Sequence, residues 1–147
     1  MHKLKVQLRF NDIDILGHLN NTVYFSLYDL GKARYMEDAG LRRHSPEPPS
    51  SVIADVHCAY IRPIRYGDEI YVETRCTAIG EKSFVLAQQL VDSAGDVRSR
   101  CRTVMVYFDP STGLSAPVPD DFRARIVDYE GRELPAHDTG GMNPHRP

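Results

Sequence analysis

The densest group of side chains that could do chemistry lies in residues 12–21, where Asp12, Asp14 and His18 precede Asn21. This polar run separates a strand-like segment from a helix-like one, so it should end at a helix N-terminus. Unpaired N–H groups and partial positive charge collect at such a position. The amides could polarise a carbonyl and hold an oxyanion while a carboxylate attacks or activates water. This pattern predicts a site for acyl transfer.

Simpler interpretations of the same run remain open at this point. Asp12 and Asp14 are also common turn and capping residues, and His18 could merely hold a loop. The three side chains could bind a metal ion, but no other recognisable metal motif supports this, and we expect no metal. A Ser or Cys nucleophile lacks support, because there is no G-x-S-x-G motif and every cysteine falls in a strand-like segment. Gly17 would let the loop bend and its backbone approach a ligand.

Hydrophobic periodicity predicts the elements that position this run. Alternation from Leu4 to Phe10 indicates a half-buried strand, and repeats of three and four residues from Asn21 to near Gly40 indicate a long helix. Gly31 inside that helix costs about 1 kcal/mol relative to alanine, which suggests a close approach to another backbone.

Four strand-like segments follow a proline-rich loop at residues 44–51, and they cover residues 51–66, 69–79, 82–92 and 97–109. Their connections are too short for crossover helices, so they should form an antiparallel meander. A 20-residue helix and a ten-residue strand are both roughly 30 Å long. A curved antiparallel sheet of about five strands can therefore wrap the helix, which is the α+β architecture called the hot-dog fold.

The remaining sequence predicts one domain and an ordinary globular composition. A short helix at residues 119–127 should end a domain of residues 1–127, and residues 128–147 read as a mobile C-terminal tail. Eighteen Lys and Arg residues against 20 Asp and Glu residues give a net charge of −2, so we expect neither nucleic acid nor membrane as a partner. The absence of an apolar leader segment and the three widely spaced cysteines favour a cytoplasmic protein.

Three segments carry a family resemblance. Residues 9–24, with the run Gly-His-Leu-Asn-Asn, resemble the first motif of the hydroxybenzoyl-CoA thioesterase family of the hot-dog superfamily. Residues 59–68, where a Tyr-x-x-Pro strand ends at a Gly-Asp turn, resemble its second block, and residues 82–85 resemble its third. The blocks occur in the family's order over about residues 4–110.

The resemblance implies an acyl-CoA thioesterase, which converts an acyl-CoA thioester and water to a carboxylic acid and CoA. The second aspartate of the family's D-x-D-x-x-G motif is catalytic and matches Asp14, and the backbone amide that points at the thioester carbonyl matches Asn21. Lys82 matches a lysine near the nucleotide end of CoA. His18 is a candidate for orienting the substrate or handling a proton.

The same resemblance places Gly17 and Tyr24, both in the first motif, at the substrate. It implies no cofactor beyond the CoA carried by the substrate, and it implies a homo-oligomer, either a dimer or a homotetramer built from dimers, with the site between subunits. Three other functions stay open. They are hydrolysis of acyl-carrier-protein thioesters through Arg98, Arg100 and Arg102, a non-catalytic module that binds acyl groups or assembles partners, and a dehydratase that would need His18 or His57.

Overall fold

The computed structural model describes residues 1–42 and 50–136 of the 147-residue chain. Its strands are β1 (His2–Val6), β2 (Ser51–Tyr60), β3 (Ile70–Ile79), β4 (Ser83–Asp92), β5 (Val97–Asp109) and β6 (Leu114–Ser115). Its helices are α1 (Asn21–Asp38), α2 (Asp120–Glu130) and a 3-10 turn at Phe10–Asp12. None of the helices in these two ranges is long and apolar enough to span a membrane.

The strands form an antiparallel sheet in the order β1-β3-β4-β5-β2, and the short β6 pairs with β5. Helix α1 packs on one face of this sheet and contacts β3 and β1. The predicted α+β hot-dog fold, with a sheet of about five long strands around one long helix, is confirmed. The order leaves β1 and β2 as the two long edges of the sheet.

The sequence of α1 explains how the helix sits on the sheet. Asn20 caps it, because the Asn20 side-chain oxygen accepts the Thr22 N–H at 3.0 Å. The buried face of α1 carries Tyr24, Leu27, Tyr28, Gly31 and Tyr35. A β-carbon added at Gly31 would lie 2.4 Å from Val72 Cγ1. The predicted close approach at Gly31 is therefore present, although the neighbour is a side chain of β3 and not a backbone.

Buried polar groups attach the middle of α1 to the sheet. The Tyr28 hydroxyl donates to Ser99 Oγ at 2.7 Å, and the Gln88 amide donates to the Tyr28 carbonyl at 2.9 Å. The same amide group donates to Thr74 Oγ1 at 2.9 Å. Because buried polar groups are costly when unpaired, these bonds fix the position of α1 along the sheet as well as its distance from it.

Two strands are shorter than predicted. The predicted strand to Phe10 ends at Val6, and the chain then turns into the 3-10 turn. The predicted strand to residue 66 ends at Tyr60, since the next two amides, of Ile61 and Arg62, both donate to the Arg98 carbonyl and leave the regular ladder. Pro63, which has no N–H to donate, follows directly.

The C-terminal boundary also differs from the prediction, because residue 127 lies inside α2. This helix continues to Glu130, whose carboxylate accepts the Tyr35 hydroxyl at 2.6 Å and the Cys76 N–H at 2.7 Å. The Pro135 carbonyl accepts the Ile79 N–H at 3.0 Å. Residues 128–136 therefore contact the domain. Residues 137–147 of the predicted tail, and most of the predicted loop at 44–51, lie outside the described residues.

Candidate active site

The loop between β1 and α1 is anchored by Asp12, which is 3% exposed. Its carboxylate accepts the Arg9 backbone N–H at 2.8 Å and the Arg9 guanidinium at 2.9 and 3.2 Å. The hydrogen bond to the guanidinium lowers the pKa of Asp12. The Asp12 carbonyl accepts the Asn20 N–H at 2.8 Å. Asp12 thus ties the loop to the residue that caps α1.

Asp14 occupies a different environment, although it lies only two residues further on. It is half-buried, and its Oδ1 atom accepts the N–H groups of Leu16 at 2.9 Å and His18 at 3.3 Å. Its backbone closes the turn, since the Asp14 N–H donates to the His18 carbonyl at 2.8 Å and its carbonyl accepts from Gly17 at 3.0 Å. Gly17 permits this turn because its φ is +77°. Among the described residues, Oδ2 of Asp14 has no hydrogen-bond donor.

The first backbone amide of α1 is unpaired in the part of the chain that the structure describes. Asn21 is the first helical residue, so its N–H has no acceptor within the helix, and no other described residue accepts it. The Thr22 N–H donates to the side-chain oxygen of the capping residue Asn20. On the other side, the Tyr60 hydroxyl donates to the Asn21 carbonyl at 3.1 Å. The end of β2 therefore holds the first residue of the helix in place.

These groups line one open pocket of about 370 Å³. The lining residues come from the loop, from α1 and from the end of β2, and they are Asp14, His18, Leu19, Asn21, Tyr24, Tyr60, Ile61, Arg62 and Pro63. The structure thus brings together four of the predicted site residues: Asp14, His18, Asn21 and Tyr24. Gly17 shapes the turn beside the pocket and does not line it.

Two aromatic rings form one wall of the pocket. The rings of Tyr24 and Tyr60 meet edge to face, with 4.8 Å between their centroids. Tyr24 is buried, and burial raises the pKa of its hydroxyl. Neither Tyr60 nor Arg62 was predicted as a site residue. Both fall in the Tyr-x-x-Pro block, which was the only sequence signal that could have pointed to them.

Lys82 lies far from this pocket within one chain. It precedes β4, whose first residue Ser83 pairs with Val106 on β5. Tyr60, at the pocket, pairs with Ser99 of the same strand. Seven residues of β5 separate the two positions, which is roughly 23 Å along an extended strand. A single chain therefore does not place Lys82 beside Asp14.

The other candidate side chains also lie outside the pocket. Arg98 is held by Asp68 at 3.1 Å and by Asp92 at 2.9 Å. His57 lies opposite Arg102 in the β2–β5 register, on the face of the sheet away from α1. Over residues 1–42 and 50–136, no group of three or more His, Cys, Asp or Glu side chains is placed to hold a metal ion.

Comparison with known proteins identifies the family of this chain. The family model of the thioesterase-like superfamily matches residues 8–126. A thioesterase from Thermus thermophilus, solved in complex with coenzyme A and Zn, is 33% identical, with 90% of this chain and 96% of that chain covered and a TM-score of 0.79. A predicted thioesterase from Bacillus stearothermophilus is 25% identical, with 91% and 98% covered and a TM-score of 0.80.

A 4-hydroxybenzoyl CoA thioesterase carrying an aspartate-to-asparagine mutation, solved with 4-hydroxybenzoyl CoA, shares the fold at 18% identity, with 84% and 96% covered and a TM-score of 0.72. The resemblance found in the three sequence motifs is therefore confirmed. With the family model matching most of the chain, this protein belongs to the thioesterase-like superfamily and is a thioester hydrolase with the hot-dog fold.

Proposed function

We propose that this protein hydrolyses acyl-CoA thioesters to a carboxylic acid and free CoA at the pocket that contains Asp14. One observation carries the proposal. Asp14, whose side chain is half-buried, and Asn21, whose N–H is unpaired among the described residues at the positive end of α1, line the same pocket. The Thermus thermophilus relative that was solved with coenzyme A supports CoA as the thiol part of the substrate.

In the proposed reaction the thioester carbonyl oxygen accepts the Asn21 N–H, which stabilises the oxyanion that forms on attack. Two routes are compatible with the geometry. Asp14 attacks the carbonyl carbon, expels the CoA thiolate and forms an anhydride that water then cleaves. Alternatively, Asp14 takes a proton from a water molecule that attacks the carbonyl, and the thiolate leaves from the tetrahedral intermediate. Neither route needs a metal ion or a cofactor beyond the CoA of the substrate.

The hydrogen bonds around Asp14 suit either route. The amides of Leu16 and His18 hold Oδ1, which fixes the carboxylate and leaves Oδ2 for the carbonyl carbon or for water. The His18 side chain lines the same pocket, where it would orient the substrate or the water. The edge-to-face rings of Tyr24 and Tyr60 give the acyl or pantetheine chain an apolar wall.

The assembly that we propose is a homodimer, or a homotetramer of dimers, formed through β2. This strand has ten residues and, among the described strands, pairs only with β5, and Val52 and Val56 on it are 47% and 36% exposed. An apolar edge of this length invites pairing with a second copy. In an antiparallel β2–β2 pair, the Tyr60 end of one strand would lie near the Ser51 end of the other.

That arrangement would also explain how Lys82, which lies far from Asp14 within one chain, could lie near CoA. In the sheet, the strand end at Ser51 pairs with Tyr107 on β5, and the Tyr107 N–H donates to the Lys82 carbonyl at 2.8 Å. Lys82 therefore lies about two strand spacings, or roughly 10 Å, inward from the β2 edge. A CoA molecule extending from Asp14 across the dimer interface could bring its phosphates to Lys82 of the partner subunit. We also keep the cytoplasmic location as a proposal, since all three cysteines are free thiols.

The decisive experiment measures thiol release from a panel of acyl-CoA esters by the wild type and by Asp14→Asn. We expect the variant to keep its fold and assembly while kcat falls at least about a hundredfold, the scale of a lost base or nucleophile. Asp128→Asn, on the exposed surface of α2, is the matched control and should keep normal turnover. Near-normal kcat for Asp14→Asn would remove Asp14 from the mechanism. Loss of activity on exhaustive chelation would instead support the metal site at Asp12, Asp14 and His18.

A second experiment separates CoA from carrier protein as the thiol donor. Lys82→Ala should raise the KM for acyl-CoA several-fold with kcat little changed, and it should not affect a short pantetheine thioester that lacks the nucleotide phosphates. The effect should shrink at high salt, because Lys82 is exposed. Unchanged acyl-CoA kinetics in Lys82→Ala, combined with loss of activity on acyl-carrier protein when Arg100 and Arg102 become Glu, would favour the carrier-protein alternative.

A further inference from the structure

A second pocket, of about 300 Å³, lies on the face of the sheet opposite to α1. One row of its lining runs straight across four strands. Arg75 on β3 pairs with Ala87 on β4, Ala87 pairs with Arg102 on β5, and Arg102 pairs with His57 on β2. Because residues directly opposite in register point to the same face, these side chains stand side by side on the outer surface.

The next row, two residues along each strand, completes the pocket. It consists of Glu73, Gln89, Arg100 and Ala59. The Gln89 amide donates to the Glu73 carboxylate at 2.9 Å, so this acidic group is already engaged. In both rows an alanine stands beside an arginine, and the short alanine side chains leave the space that the longer neighbours enclose.

The charge of this pocket is opposite to that of the whole chain. The chain has a net charge of −2, whereas the lining has three arginines against the single carboxylate of Glu73. The guanidinium groups of Arg75 and Arg100 form no hydrogen bond or ion pair with the residues that the structure describes. Arg98 on the same strand differs, since Asp68 and Asp92 neutralise it. The unpaired guanidinium groups of Arg75 and Arg100 beside this concavity should attract anions.

We propose that this outer pocket binds a small anion that carries phosphate groups, with a diphosphate as the best match. Arginine presents a planar fork of donors that fits phosphate oxygens in pairs. Arg75 and Arg100 lie two strands apart and one row apart, roughly 12 Å between their α-carbons, so their long side chains can reach one diphosphate between them. A second copy of the chain on this face would bring like charges together, which disfavours it as the occupant. The proposal does not depend on the hydrolytic site.

The test is calorimetric titration of the full chain with inorganic pyrophosphate at low ionic strength. We expect saturable binding of one anion per chain, weakened at least about tenfold by Arg75→Gln and by Arg100→Gln. Glu73→Gln should tighten binding, because it removes the one negative charge of the lining. Arg34→Gln, on α1, changes the net charge equally and should bind like the wild type. Circular dichroism of each variant shows whether the fold is kept.

Other outcomes would overturn the proposal. They are no saturable binding, equal weakening by Arg34→Gln, which indicates diffuse attraction, and loss in Lys82→Ala, which would place the pyrophosphate at the proposed CoA site. Binding of an acidic carrier protein without binding of pyrophosphate would also overturn it. A parallel titration with adenosine 3′,5′-bisphosphate tests whether the two phosphates must be joined. Tighter binding of pyrophosphate than of the bisphosphate, whose two phosphates are separate, would support a diphosphate, and tighter binding of the bisphosphate would contradict the diphosphate as the best match.

Discussion

Gly31→Ala should destabilise the protein, although alanine is the better helix former. The added β-carbon would lie 2.4 Å from Val72 Cγ1 and 3.2 Å from Gln88 Nε2. Carbon atoms pack at about 3.5–4.0 Å, so α1 and β3 must separate by roughly 1 Å or more. Helix propensity contributes about 1 kcal/mol in favour of alanine, and overpacking a tight core costs about 1–3 kcal/mol.

Movement of the neighbours cannot easily relieve this contact. Val72 is fully buried, and the Gln88 amide is held by the Tyr28 carbonyl and by Thr74. Any shift of α1 therefore strains those hydrogen bonds as well, and we expect a net loss of about 1–2 kcal/mol in the free energy of unfolding. Urea denaturation followed by far-ultraviolet circular dichroism measures it, as a lower midpoint with an unchanged slope.

A double-mutant cycle identifies the cause. Val72→Ala removes the methyl group that the new β-carbon would meet, so the pair Gly31→Ala and Val72→Ala should lose less stability than the sum of the single changes. The coupling should reach at least about 0.5 kcal/mol. A Gly31→Ala protein as stable as the wild type would refute the argument. Additive losses would show that the contact with Val72 is not the source of the strain.

Asp12→Asn should lower the free energy of unfolding by about 1–2 kcal/mol, because the carboxylate loses charge-assisted hydrogen bonds. The pKa of Asp12 is lowered in the folded state, so its ionised carboxylate stabilises the fold above the unfolded-state pKa, and this stabilisation is lost as the pH falls through the folded-state pKa. The difference in stability between the wild type and Asp12→Asn, measured by urea titration, should therefore disappear in acid. Tyr60→Phe removes the donor to the Asn21 carbonyl and should lower kcat several-fold with little change in KM, as steady-state kinetics would show; unchanged kcat would deny Tyr60 a positioning role. Burial raises the pKa of Cys76 to about 12 and that of Cys101 to about 11. An aromatic disulfide reagent at pH 8 should therefore label at most one thiol in the native chain and all three after denaturation. Rapid labelling of two or more thiols in the native chain would contradict the burial of these cysteines.

The elements of the fold could be predicted from the sequence because their patterns are local. The alternation of the strands, their short connections and the cap before α1 are all read within a few residues. The ends of the strands could not be read in this way. The predicted strand to residue 66 keeps a strand-like composition past Tyr60, but the Arg98 carbonyl, far along the chain, accepts two successive amides there and ends the ladder. Glu130 was missed for a similar reason, since its partners Tyr35 and Cys76 are distant in sequence.

The same distinction, between residues that are close in sequence and residues that are distant, applies to the candidate site. Asp14, Asn21 and Tyr24 are close in sequence, so one motif was enough to predict that they share a pocket. Tyr60 reaches the pocket only because β2 ends beside the start of α1, which depends on the topology of the sheet. Lys82 shows the opposite case, in which a motif in the right order along the chain lies at the far end of the sheet within one subunit.

Residue type and spacing alone did not separate Asp12 from Asp14; the family resemblance indicated Asp14, and the hydrogen bonds now give a physical difference between the two. Both oxygens of Asp12 accept donors from Arg9, and its burial leaves no access for a substrate. A carboxylate whose lone pairs are occupied in this way neither attacks a carbonyl nor takes a proton readily. Asp14 accepts hydrogen bonds from described residues through Oδ1 alone, and it lines the pocket. In the proposed reaction, Asp12 therefore orders the loop that fixes the start of α1, and Asp14 carries the chemistry beside it.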